Sequence, residues 1–378
     1  MIYTLTQDPD AHRQIEDDLQ YIREHIARAV PENNRVALFL VGGFGRGEGG
    51  VVIREGRWRH ANDYDLELIS RTPIDSAFLK DLGVRIASGL GIPWVHIESH
   101  TLEKLGRLRQ TMYNYDLKYA STCLDGDGAV LVRIPRMLPE LMPRAEAQAI
   151  MFTRLWTFLG AFHPDMLHRP LTSDEAFLMI GQISKALLAM MDTLLIGSEG
   201  LYDASYRVRL RRLGDIRHHD NKPPEELVPL IEWAVHYKLT PEEAPLDDPL
   251  GVLFRIRPVY LAVLSSTISS RFTFHNPPDM PRLERALFFN SYHLLKRIYI
   301  RFIKRSRWFE DFLHYNMAVI HLVDAMENPE IISGKSKCLS LNSALKHFRR
   351  ISGFRDTDNP SWPLLREEAL RLREELWH

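Results

Sequence analysis

The sequence predicts a small α/β domain followed by a larger all-helical one, and three observations lead there. The hydrophobic period changes near residue 140, from short strand-like runs alternating with helical patterns to helical patterns alone. A glycine-rich turn at residues 42–50 is followed by a strand pattern that carries Asp63 and Asp65. The chain has 378 residues, 45% hydrophobic and 26% charged, which is enough for two or three separately buried cores.

The elements follow in order. Residues 10–30 predict a helix, because Ile15, Leu19, Ile22 and Ile26 recur at helical spacing before Pro31 and Asn33-Asn34 end it. Residues 36–41, VALFLV, form an apolar run of strand length that stops at Gly42-Gly43. Residues 64–69, YDLELI, alternate polar and apolar, as a strand with two unlike faces does. A helix is expected over 75–90, closed by Gly89 and Gly91, and a short strand, WVHIE, over 94–98 after Pro93. Beyond Pro135 and Pro139 the strand signals fade. Helices are expected at 144–163, 173–197, 224–238, 255–270, 281–305, 308–326 and 361–377, separated by proline-, glycine- and asparagine-containing breaks. No internal repeat or low-complexity stretch interrupts them.

Composition narrows the classes. With 48 basic and 49 acidic side chains the net charge is -1, which argues against a surface coated for duplex DNA while leaving room for a local basic patch. Cys123 and Cys338 are too few for a disulfide framework or a cysteine-rich zinc site and suit a reducing compartment. The opening residues, MIYTLTQDPDAHRQ, lack the basic and apolar regions of a signal peptide, and no run of 18 uninterrupted apolar residues occurs. The expectation is a cytoplasmic enzyme or adaptor. The 16 histidines are scattered along the chain without H-E-x-x-H spacing, which disfavours a zinc hydrolase.

The segment VGGFGRGEGGVVIREGRWRHANDYDLEL, residues 41–68, admits three readings. Gly45, Gly47, Gly50 and Val52 satisfy the glycine patterns of dinucleotide and kinase loops. No amphipathic helix follows them, however, and the later kinase elements are missing. A plain glycine-rich hairpin would explain the turn but not the acidic strand after it. The third reading joins the two features. Asp63 and Asp65 lie two apart, so on a strand they share one face, where their charges repel unless a cation lies between them. Two such hard oxygen donors are what Mg²⁺ takes alongside nucleotide phosphates, and a glycine-walled turn lets the backbone approach a triphosphate closely.

Gly42-Gly43-Phe44-Gly45-Arg46-Gly47-Glu48, followed by Asn62-Asp63-Tyr64-Asp65-Leu66, resembles the signature of the DNA polymerase β-like nucleotidyltransferase superfamily. Its G-G-aromatic-G-R-x-E form is similar to that of bacterial protein uridylyltransferases. The resemblance covers residues 36–130, about a quarter of the chain, with the stretch from Glu48 to Asp63 read as an inserted loop containing the basic run Arg54 to His60. It implies an α/β nucleotidyltransferase domain with a small mixed sheet at residues 1–136 and an all-α domain at 137–378 that closes on and selects the substrate. It further implies that Gly42 and Gly43 hold the nucleotide and that Asp63 and Asp65 hold two Mg²⁺ ions.

Members of this superfamily place a third acid on a following strand, as proton acceptor for the attacking hydroxyl. Glu98 is the expected residue, also able to touch metal. His96 could occupy the aligned position instead, making the base unusual or the enzyme impaired. Glu67 shares the face of Asp63 and Asp65 and is either a further ligand or a paired residue. Arg46 is expected on a phosphate, with Glu48 holding it in place. Leu124-Asp125-Gly126-Asp127 resembles an element of small-substrate nucleotidyltransferases, and reads equally as an Asx turn.

In the helical part, Lys185 lies among apolar residues and is a candidate for the triphosphate by the same resemblance. Residues 202–212, YDASYRVRLRR, read as a solvated helix face or a contact to phosphate or to an acidic acceptor. Lys296, Arg297, Arg301, Lys304 and Arg305 form a stripe that could meet RNA, line a triphosphate cleft, or be solvated. The expected activity is Mg²⁺-dependent transfer of a nucleoside monophosphate from an NTP to a hydroxyl of a small molecule or protein, releasing pyrophosphate. A catalytically silent NTP-binding scaffold and an RNA 3′-end nucleotidyltransferase are the alternatives, and no membrane partner is expected.

Overall fold

In a computed structural model the structure describes residues 2–54, 57–60, 63–198, 200–216, 223, 225–241, 244–268, 280–289, 295–296, 298–355 and 360–377. The chain packs as two compact units. The first comprises Met1–Glu146, Ser198–Asp215 and Ile231–Pro245; the second comprises Ala147–Gly197, Ile216–Leu230 and Leu246–His378.

The first unit opens with helix α1 (Pro9–Ala29), capped by the Asp8 side chain on the Asp10 N–H and carrying Pro9 at its start. Its buried stripe, Ile15, Leu19, Ile22 and Ile26, is the one its spacing predicted. Strand β1 (Arg35–Val41) follows and is buried along most of its length, as a central strand must be. A single helical turn, α2 (Gly42–Gly45), leads away from it. Next come strands β2 (Val51–Arg54) and β3 (Arg57–His60), then β4 (Tyr64–Ser70). Helix α3 (Ser76–Leu90) ends at Gly91 in the left-handed region. Strand β5 (Val95–Thr101), helix α4 (Met112–Ala120) and strand β6 (Thr122–Gly126) complete the sequence-contiguous part.

The main sheet has the order β5-β4-β1-β6. β4 runs antiparallel to β1 and parallel to β5, and β1 runs antiparallel to β6, so the sheet is small and mixed. Leu38, Leu40, Leu66, Leu68, Val95 and Ile97 pack with the stripe of α1 and with Leu79, Leu82 and Ile86 of α3 into one core. Burial on that face leaves the opposite face of β4 and β5 to carry the polar residues.

The stretch read as an inserted loop is a β-hairpin instead. β2 and β3 pair antiparallel, with Val52 opposite Arg59 and Ile53 opposite Trp58. Val51 and Val52 are buried, and Trp58 packs on the core, so β-branched and aromatic residues anchor what glycine and arginine made look irregular.

The second unit is helical. It is built from most of α5 (Arg144–Arg154), then α6 (Trp156–Gly160) and α7 (Ser173–Gly197). After α8 (Tyr206–Asp215), which belongs to the first unit, and α9 (Leu227–Leu239), come α10 (Pro249–Ile268) and α11 (Met280–Phe289). Helices α12 (Trp308–Ala325), α13 (Leu339–Phe348) and α14 (Trp362–Trp377) close the chain. α7 packs on α10, and α12 packs on α13 and α14. α7 and α10 are long and apolar enough to cross a bilayer by length and composition, and most of each is buried inside the protein, as core helices are. The described parts of the helix expected at 281–305 are α11 and a π-helical turn at Tyr299–Ile303.

Candidate active site

The glycine turn and the acidic strand meet at one point. Val41 lies opposite Asp65 in the β1–β4 ladder, so the residue after Val41 emerges beside the Asp65 side chain. That residue is Gly42, at φ +65°, where L side chains are strained. A Cβ there would lie 2.6 Å from Asp65 Oδ2, closer than real contacts allow. Glycine at this position therefore keeps the backbone pressed against the carboxylate. The turn is held by the Glu48 N–H donating to Gly43 O (2.8 Å) and the Gly49 N–H donating to Tyr3 O (3.0 Å).

Asp63 is exposed, one residue before β4 begins, and Asp65 is half-buried. Burial, and then the charge of Asp63, push the Asp65 carboxyl above its ordinary range, while His96, Lys238 and Arg46 pull it back. The two carboxylates are thus close enough to penalise one another, and a divalent cation between them would relieve both charge and desolvation. Hard oxygen donors of this kind suit Mg²⁺.

On β5 the side chains of His96, Glu98 and His100 alternate onto the polar face. The parallel register sets His96 opposite Asp65 and Glu98 opposite Glu67. Glu98 is exposed and hydrogen-bonds with His96 Nε2 at 3.0 Å. The residue beside Asp65 is therefore His96, with Glu98 behind it. Glu67 is wholly buried and paired: it bonds to His100 Nδ1 (2.7 Å) and accepts from the Tyr113 hydroxyl (2.7 Å). That hydrogen bond to Glu67 is the main reason the His100 imidazole is pushed above its ordinary pKa.

Arg46, the residue expected on a phosphate, is engaged with neighbouring side chains of the protein. It is buried between two carboxylates, with Nε donating to Glu48 Oε2 at 3.0 Å and Nη1 to Asp116 Oδ2 at 3.4 Å. Its guanidinium also lies over the Tyr206 ring, 4.5 Å from the centroid. Glu48 in turn accepts from Ser205 Oγ (2.6 Å), the Tyr206 N–H (2.9 Å) and the Arg207 N–H (3.4 Å), at the start of α8. Asp116 accepts from the Tyr202 hydroxyl (3.1 Å) and from Arg209 (3.3 Å). Arg46 is a buried strut joining the glycine turn to α4 and to α8, with Glu48 holding it as expected.

No protein-family model matches the chain. No curated protein matches it. Among solved structures the chain is similar to the spectinomycin adenyltransferase AAD(9) from Enterococcus faecialis, determined with ATP and spectinomycin. The two share 11% identity at a TM-score of 0.38, over 67% of this chain and 98% of that one. A likeness at that score carries no argument about what this chain does.

The remaining sequence-predicted residues are distributed as follows. Gly43 lies in the turn, where a Cβ would come within 3.2 Å of Glu48 O. Lys185 is exposed on α7, in the second unit. Asp125 pairs with Arg35 at 3.1 Å, and Asp127 caps a 3₁₀ turn by accepting from the Ala129 N–H, so this element is the Asx turn of its simpler reading. Within 202–212, Arg209 is buried against Tyr202 and Asp116, and Arg212 pairs with Asp203 at 3.1 Å. Arg207 and Arg211 are exposed on the same helix, so the segment combines buried pairings with a solvated face.

In the stripe, Arg301 pairs with Glu310, Lys296 lies over the Phe309 ring, and Arg307, just beyond, faces Asp311 at 3.8 Å. Arg297 lies outside the described residues. The histidines are not all scattered: His314, His321 and His347 come together in the second unit. Sequence reasoning missed that group and also Asp116, the acid that completes the Arg46 pair. The seven-residue step from His314 to His321, two helical turns, was the available signal for the first; nothing local marks Asp116.

Proposed function

We propose that the first unit is a nucleotidyltransferase that moves a nucleoside monophosphate from an NTP, ATP being the first to test, to a hydroxyl of a small molecule or protein, with Mg²⁺. The observation that carries this is the approach of Gly42 to Asp65, which joins the two halves of the G-G … D-x-D resemblance in one place. Asp63 and Asp65 would hold the metal, which supplies charge neutralisation for the phosphates and the departing pyrophosphate. Gly42 and Gly43 leave room for the phosphates beside Asp65. In the transfer, the acceptor oxygen forms a bond to the α-phosphorus, the bond from that phosphorus to pyrophosphate breaks, and the acceptor's proton passes to a base. His96, beside Asp65 and oriented by Glu98, takes that proton in this reading, so Glu98 acts through the imidazole. Arg46 positions the turn and does not touch substrate.

The test is incubation of the full chain with each α-labelled NTP and Mg²⁺ against a panel of hydroxylated small molecules and proteins, scoring pyrophosphate and the labelled product. Transfer that is lost in Asp65→Asn and reduced in His96→Ala supports the reading. Pyrophosphate release that persists in Asp63→Asn/Asp65→Asn sinks it. A second reading, an NTP-binding protein that no longer transfers, is favoured by the histidine standing where the third carboxylate is expected. Mg²⁺-dependent NTP binding with no product in any acceptor screen would select it.

A further inference from the structure

The second unit holds a group of side chains that nucleotide transfer does not use. His314 and His321 lie on one stripe of α12, His347 comes from α13, and Glu284 from α11. Phe288 walls the group, with its ring 4.8 Å from that of His314 and 5.8 Å from that of His347. His321 is 5% exposed and His347 1% exposed. Both ring nitrogens of His321, and Nε2 of His347, are buried without a hydrogen-bond partner. A buried imidazole nitrogen without a partner carries the full cost of its desolvation, so the arrangement calls for something to fill it.

We infer that Glu284, His321 and His347 form a binding site for a divalent transition-metal ion, with Zn²⁺ as the best-fitting occupant. One carboxylate oxygen and two imidazole nitrogens, one from each residue, lie within 4.8 Å of one another. Glu284 Oε1 and His347 Nε2 are 3.4 Å apart, against a tetrahedral edge of about 3.3 Å for bonds of about 2.0–2.1 Å. Glu284 is only half-buried and is the arm with room to close on the ion. Two imidazoles and one carboxylate favour zinc over Mg²⁺ or Ca²⁺, which prefer all-oxygen shells.

A supporting partner is already in place. His347 Nδ1 and His314 Nδ1 are 3.0 Å apart. With His347 Nε2 on the metal, its Nδ1–H donates to His314 Nδ1, which fixes the tautomer that metal binding needs. Three protein ligands leave a fourth position for water or a substrate group.

The test uses the full chain, stripped with EDTA and dialysed, then titrated with Zn²⁺ by calorimetry and with Co²⁺ by visible absorption. The expected result is one ion per chain, an intense low-coordination cobalt spectrum and a raised Tm with Zn²⁺. Glu284→Gln should weaken binding by about tenfold or more, and His314→Phe by about 10- to 100-fold, with the metal-free circular dichroism unchanged. Glu284→Gln, at a half-buried position, keeps the test open if the buried histidine variants do not fold. Asp63→Asn/Asp65→Asn should bind zinc as the unmodified chain does. Absence of saturable binding, binding indifferent to Glu284→Gln, or binding lost with Asp63→Asn/Asp65→Asn would each overturn the site.

Discussion

At Gly42 a methyl group would do two kinds of damage. The residue sits at φ +65°, where a side chain costs about 1–2 kcal/mol, and the new Cβ would collide with Asp65 Oδ2. Gly42→Ala should therefore lower stability by about that amount in urea unfolding and, in the labelled-NTP assay, cost more activity than the stability loss explains. Equal losses in both would separate Gly42 from the site. Arg46 makes the opposite case, a residue whose worth is structural. Arg46→Ala leaves the buried Glu48 without its cation, while Asp116 keeps Arg209, and breaking a buried pair costs about 3–5 kcal/mol. Thermal unfolding should show it as a large fall in Tm; an unchanged Tm with weakened NTP binding would restore Arg46 to the phosphates. The difference between the two residues explains what was legible. Asp63 and Asp65 announce themselves by their two-residue spacing at the start of a strand, and Gly42-Gly43 by ending the strand before it. The fate of Arg46 depends on Asp116 and α8, which lie 70 and more residues away, and no local pattern encodes such a meeting.

Among the elements, α1, β1, β4, α3 and β5 were readable because each has a clean period and a stop signal. β6 and α4 were not. β6 is a five-residue edge strand containing an acid and a glycine, and its pairing with β1 is a long-range event. α4 is nine residues long, with three tyrosines that blur its apolar stripe. The hairpin β2–β3 was hidden because its anchoring residues are interleaved with arginine and glycine.

α1 carries one anomaly that can be tested. Asp18 sits within its buried stripe, accepting from the Tyr64 hydroxyl (3.1 Å) and from Gln14 (2.9 Å). Burial raises its pKa above the ordinary 3.8. Between those two values the folded chain keeps a proton that the unfolded chain has lost, so Asp18 makes stability fall as pH rises through that window. Asp18→Asn should flatten this part of a urea-midpoint-versus-pH curve and be no less stable at pH 7. A steeper curve, or a large loss at pH 7, would mean that the ionised acid is favourable where it stands.

Over the whole molecule, the near-zero net charge is an average over local pairings. Arg209 and Arg212, and Lys296 and Arg301 near residue 300, are committed to neighbouring acids and rings, whereas Arg207, Arg211, Lys304 and Arg305 are exposed. The helical second unit was legible as a class, whereas its histidine group was not, because three helices distant in sequence supply it.

The first unit is also discontinuous: Ser205, Tyr206 and Arg207, which satisfy Glu48, are made long after it. A ribosome that has released residues 1–146 has exposed the glycine turn with Glu48 still lacking its donors Ser205, Tyr206 and Arg207 and Arg46 still lacking the Tyr206 ring. The packing around the glycine turn, though not the strand order of the sheet, must therefore wait until α8 emerges. A purified fragment ending at residue 146 should behave as that arrested nascent chain does, melting without a sharp cooperative transition in circular dichroism. A full-strength transition in that fragment would mean that the later segment merely decorates a sheet already complete.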